Sequence, residues 1–233
     1  MWLSNLFMVF MSILICGCST PFNVTVDSIS SPIAIEKNKF IIIPGNKDVD
    51  ENNLQYAEFS AYTEKVLESI GFEKVSNPED ADVGIFLSYG VSDPKFYEYT
   101  YSTPIWGQTG VAQSNTYGSV TRYGNCATYS QNTTYTPQYG VIGSQTNVGV
   151  GVVYFRNLTL EGVDLEKFRE NGKVYDLWKT AAISNGESGD LRYVFPYMLV
   201  ASKNFIRTNS LQKVNIQIAK DNHEVEELKK SIQ

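Results

Sequence analysis

Between Asp93 and Asn147 the chain carries eight of its fifteen tyrosines, and strictly inside those limits only Lys95, Glu98 and Arg122 are charged. Phe96-Tyr97-Glu98-Tyr99-Thr100-Tyr101 puts Tyr97, Tyr99 and Tyr101 on one face by the two-residue period of a strand, and Pro104 and Gly107 predict its end. Beyond it, Gly107, Gly110, Gly118, Gly124, Gly140 and Gly143 among Ser, Thr, Gln and Asn read as an irregular or hairpin excursion from a sheet. Tyrosine presents a flat apolar face with a polar rim, suited to sugar rings or protein partners. The candidate binding residues are therefore Tyr97, Tyr99, Tyr101, Trp106, Tyr117, Tyr123, Tyr129, Tyr135 and Tyr139. The same residues can instead serve cross-strand packing, and the two roles are compatible.

The remainder has the composition of a globular domain, 42% hydrophobic and 19% charged. A net charge of -6 gives no field that favours a phosphate backbone, so no nucleic-acid partner is expected. With one histidine, His223, in a polar terminal segment, most metal clusters and nucleophile–base pairs are excluded; neither metal nor cofactor is expected. Gly149 and Gly151 lack the Lys-Ser/Thr of a phosphate-binding loop, so no nucleotide site is expected. The acidic run Asp48–Asn53 lacks the glycine and terminal glutamate of a calcium loop and reads as a helix cap.

Residues 1–17 contain no Lys, Arg, Asp or Glu, and Leu6 to Ile15 is almost wholly apolar. Ten helical residues reach about 15 Å, half of the roughly 30 Å hydrocarbon core, so the segment reads as an export signal. Ile15-Cys16-Gly17-Cys18 resembles the lipobox of bacterial lipoproteins. The resemblance implies cleavage before Cys18, lipid on that residue and, with Ser19 following, an outer-membrane location. Cys126 would then be the one remaining thiol, so no internal disulfide is expected.

Phe22, Val24 and Val26 alternate as a short strand entering the domain, and 18–31 as a whole reads as a lipidated tether. Phe40 to Ile43, stopped by Pro44-Gly45, reads as a central strand buried on both faces. Phe59, Tyr62, Val66 and Ile70 recur at helical spacing up to Gly71, and a second core strand spans Ala81 to Gly90. Val148–Phe155, Leu158–Leu160 and, after Asn171-Gly172, Lys173–Thr180 read as antiparallel strands. A helix opens at Ser188-Gly189-Asp190-Leu191 with Pro196 near its start, since a proline deep in a helix costs about 3 kcal/mol. Lys213–Ile218 closes the sheet, and Glu224–Gln233 reads as a charged helix with Val225, Leu228 and Ile232 inward. The expected fold is α+β: a mixed, largely antiparallel sheet, two main helices packed on it, and a long Tyr/Gly-rich β-hairpin or loop excursion. One domain is expected over 32–233, with the insertion at about 95–147.

The lipobox, Phe40 to Pro44, Ala81-Asp82-Val83, Tyr154-Phe155-Arg156-Asn157-Leu158-Thr159-Leu160, Leu177-Trp178-Lys179 and the block from Ser184 to Pro196 follow in an order similar to the bacterial lipoproteins of domain-of-unknown-function family 4136. The resemblance implies an envelope location and carries no catalytic residue. The function expected is a noncatalytic outer-membrane lipoprotein, membrane-held through Cys18, facing the periplasm and binding an envelope protein or cell-wall glycan. The competing expectations are a glycan hydrolase using Asp80 with Asp82 or Asp164 with Glu166, and a surface-exposed glycan-binding or adhesive lipoprotein.

Overall fold

The computed structural model describes residues 20–124 and 126–232. The expected signal peptide 1–17 and Cys18 lie outside the described residues. The chain divides into two compact units, one running up to Lys95 and resuming at Val152, the other Phe96–Gly151. The second unit overlaps the insertion expected at about 95–147 within a single domain.

Among the described residues the strands are β1 (Phe22–Ser30), β2 (Lys39–Pro44), β3 (Glu73–Lys74), β4 (Val83–Val91), β5 (Lys95–Tyr123), β6 (Cys126–Asp164), β7 (Asp176–Gly186) and β8 (Val214–Ile218). The α-helices are α1 (Leu54–Ser69), α2 (Leu165–Asn171), α3 (Leu191–Ser202) and α4 (His223–Lys230). The sheet runs β3-β2-β4-β6-β7-β1-β8, with β5 pairing β6 off this path. β2 is parallel to β3 and β4, and the pairs β4–β6, β6–β7, β7–β1 and β1–β8 are antiparallel. This is an α+β architecture with a mixed, mostly antiparallel sheet.

Alternation sets which face is covered. Val24 and Val26 of β1, Val83, Ile85, Leu87 and Tyr89 of β4, Leu158 and Leu160 of β6 and Ala182 of β7 are all buried, whereas Ile29 and Ile183 are exposed. The main helices α1 and α3 supply the opposing layer. In α1 the residues Tyr56, Phe59, Thr63 and Val66 recur every three or four positions and, with Tyr62 and Leu67, are buried. α3 is buried from Val194 to Ser202. At the centre Phe59 stacks on Phe195 at 3.9 Å and meets the edge of Tyr89 at 4.8 Å. Asp190 caps α3 by accepting from the Tyr193 amide, and Pro196 is the sixth residue of a helix that continues to Ser202.

Several local expectations are corrected. The segment 18–31 is not a tether throughout, because from Phe22 it is β1, which lies between β7 and β8 with its inward valines in the core. β2 is not buried on both faces: Phe40 is buried but Ile41 to Ile43 are half-buried, because the outer neighbour of β2 is a two-residue strand. The cap of α1 is Asn53, the last residue of the run 48–53, whose side chain accepts from the Tyr56 amide, and not the acids before it. The strands expected at 148–155 and 158–160 are one continuous β6, whose intervening Arg156 is turned to the buried face. A short helix, α2, stands where none was expected; Asp164 caps it, and Gly172 ends it with a left-handed φ of 71°. β7 starts only after that cap, at Asp176.

Candidate functional site

In the unit Phe96–Gly151, β5 pairs with β6. Thr103 hydrogen-bonds Asn147, Thr109 the carbonyl of Gln138 and Thr116 the hydroxyl of Thr133, so one strand ascends as the other descends, as in an antiparallel hairpin. The strands run through Pro104 and Gly107 instead of ending there. On a two-stranded ribbon every second amide points away from the partner, where proline costs no ladder bond. Each arm spans about 90 Å at roughly 3.3 Å per residue.

Contacts across the ribbon fix its faces. An added Cβ at Gly149 or Gly151 would collide with the rings of Tyr99 or Tyr97, pairing odd residues with odd ones. Farther along, Gly107 lies against Ile142 and Gly140 against Thr109, pairing odd with even, so the register shifts by one residue between, as at a β-bulge. Tyr97, Tyr99 and Tyr101 share one face before this shift; beyond it Trp106, Tyr129, Tyr135 and Tyr139 share a face with Gly118, which lies against Tyr129, and Tyr117 takes the other. Beyond the shift the aromatic residues thus fall on two faces and not on the single surface that a simple count suggests.

Rings of Tyr97, Tyr99 and Tyr101 follow one another at centroid distances of 6.1 Å, each just under half exposed at 47 to 48%. The missing side chains at Gly149 and Gly151 let two of these rings lie flat across the neighbouring strand. Trp106, Tyr117, Tyr129, Tyr135 and Tyr139 are between 61 and 75% exposed. Tyr123 belongs to β5, and its side chain lies outside the described ones. Glu98 and Arg122 are the charged residues of the unit, and Cys126 is exposed. Neither face is covered within the unit, and no described residue of it enters the hydrophobic core.

The carboxylates singled out as a hydrolytic pair have other engagements. Asp82 accepts from the Lys39 amide, and Asp80 lies in an exposed 3-10 turn. Asp164 caps α2, and with Glu166 it shares the Lys37 ammonium. Burial works against the charge of Lys37, but the hydrogen bond to Glu166 and the fields of Asp164, Glu166 and Asp82 hold its pKa above the ordinary lysine value. His223 opens α4, exposed, beside Glu227. Among the described residues no cluster of His, Cys, Asp or Glu could hold a metal ion, and no helix is long and apolar enough to cross a membrane.

One residue with chemical potential carried no functional signal in the sequence. Arg156 is 2% exposed, and its Nε has no hydrogen-bond partner. In the sequence it looks like a polar break between two strands, and only the sheet register turns it inward.

No protein-family model matches the chain, and no curated protein does. Among solved structures, a PDZ domain protein from Parabacteroides distasonis ATCC 8503 is similar at 11% identity and a TM-score of 0.39, over 86% of this chain. The chain spans 39% of the length of that protein.

Proposed function

We propose that this chain is a noncatalytic lipoprotein of the bacterial outer membrane, held by lipid on Cys18, facing the periplasm and binding an envelope protein or cell-wall glycan through the ribbon Phe96–Gly151. The observation that carries the reading is an aromatic ribbon with two charged residues, open on both faces, that contributes nothing to the core. An isolated two-stranded hairpin is marginal in water, and an aromatic one with so little charge is suited to being covered. Tyrosine and tryptophan supply large rigid contact areas at little cost in side-chain entropy, which favours a binding role over a merely solvated loop.

The test is in-cell cross-linking of the full chain beside a version in which Thr103 to Ser144 is replaced by a short turn. Capture of an envelope protein or glycan strands by the first and not by the second is the expected result. Equal capture by both would reduce the tyrosines to packing and remove the ribbon as the binding surface.

A further inference from the structure

Where β1, β6 and β7 approach the start of α3, a cleft of about 420 Å³ is lined by Arg156, Gly186, Ser188, Tyr193 and Lys220, with Glu187 at its rim. Volumes of this order hold small ligands or the end of a longer one. Arg156 is nine-tenths and more buried, yet it forms no hydrogen bond or ion pair among the described residues, and its Nε is an orphan donor. Burial alone lowers its pKa, and no neighbouring carboxylate offsets it. Directly across the β6–β7 ladder, the hydroxyl of Ser184 is buried and equally unpartnered. Buried cations are almost always paired, because an uncompensated one is strongly destabilising. An orphan guanidinium donor at the wall of an open cleft, with a second orphan group beside it in the sheet, marks a place where the acceptor comes from outside the chain.

Gly186 strengthens this reading. A Cβ there would collide with Nη2 of Arg156, so the backbone of β7 leaves room for the guanidinium and no more. The planar fork of arginine matches a planar acceptor with two oxygens. The charges at the cleft select its valence: Arg156 and Lys220 against Glu187 leave one positive charge, which suits a single negative one. Beside the fork, Tyr193 meets Phe22 edge to face at 5.6 Å and gives the cleft an apolar wall.

We propose that this cleft binds a carboxylate, with the Arg156 guanidinium as its bidentate partner. The site belongs to the unit that holds the core and does not depend on the ribbon. Its ligand is a small organic acid or the carboxyl end of a peptide, both of which present the same group.

Titration calorimetry on the full chain in detergent would compare acetate, N-acetyl-alanyl-alanine and the C-terminal amide of the same dipeptide. The free-acid dipeptide should bind, and the amide should bind at least about tenfold more weakly. Acetate matching the dipeptide identifies a free acid as the ligand, and a dipeptide that binds tenfold tighter identifies a chain terminus. Arg156→Lys keeps the charge but loses the fork and should weaken dipeptide binding about tenfold, while Gly186→Ala should displace the guanidinium and do the same. Arg156→Met should melt no lower than the parent chain without ligand, since it removes an unpaired buried charge. Equal binding of acid and amide, or no binding of either carboxylate by the folded parent chain, overturns the proposal without recourse to any variant.

Discussion

At the scale of single residues, this fold is most sensitive where a glycine faces an aromatic ring. Gly162 of β6 lies against the indole of Trp178, and an added Cβ would strike Nε1 and Cε2. Trp178 is 2% exposed, so it has little freedom to yield. Gly162→Ala should therefore destabilise by about 1–3 kcal/mol, read as a lower denaturant midpoint at unchanged m-value. Tyr56 provides a pH probe of the same core. Burial pushes its phenol up to about 12, with the hydrogen bond to Ser60 working in the other direction. In the unfolded chain the group titrates near the ordinary tyrosine value of about 10. Because the native state then holds the proton more tightly, stability is fully present below about pH 10 and falls as pH rises towards 12, by at most about 1.4 kcal/mol per pH unit for this group. Urea melts between pH 9 and 12 should show a steeper loss for the parent chain than for Tyr56→Phe; parallel losses would assign the alkaline sensitivity to other groups.

At the scale of elements, the ribbon and the core sheet are stabilised in different ways, and hydrogen exchange separates them. Amides of β1 and β7 lie between paired neighbours above a packed face, whereas those of Phe96–Gly151 belong to a two-stranded ladder with both faces open. Exchange in the ribbon should be faster by roughly a hundredfold or more, with protection rising only when a partner covers it. Replacing Thr103 to Ser144 by a turn should leave the thermal midpoint within about 2 °C, because no core residue is removed. The elements also show what is local and what is not. Alternation in Phe22-Asn23-Val24-Thr25-Val26 and the helical spacing of Phe59, Tyr62 and Val66 are legible because each records one burial face along a continuous segment. The stripe Tyr97, Tyr99, Tyr101 was legible for the same reason. The division of the remaining aromatic residues between two faces was not, since it depends on a one-residue register shift that only the pairing of β5 with β6 reveals. Arg156 was illegible as a site because a charge in a strand pattern signals solvent until the partner strand fixes its side of the sheet.

At the scale of the whole molecule, the sheet is closed by its chain ends: β1 lies between β7 and β8, so the first described strand is held by the last two. Val24 and Val26 contribute two fully buried side chains, together about 4 kcal/mol, a large share of the 5–15 kcal/mol by which ordinary domains are stable. The Ser28 hydroxyl lies 2.6 Å from the carbonyls of Phe205 and Thr208, tying β1 to the segment that follows α3. Reading 18–31 as a tether implies that a chain starting at Ser31 should fold as well as one starting at Thr20. The topology demands the opposite. Deleting β1 uncovers the edge of β7, separates β8 from the sheet and leaves the buried hydroxyl of Thr180 without its neighbour Ser28. The chain starting at Ser31 should lack a cooperative thermal transition and near-ultraviolet dichroism, whereas the chain starting at Thr20 should melt like the full chain. If lipid is carried on Cys18, then only Ser19, Thr20 and Pro21 separate the anchor from the sheet, about 10 Å of extended chain, so the reach of any binding surface must come from the folded protein and not from a flexible leash.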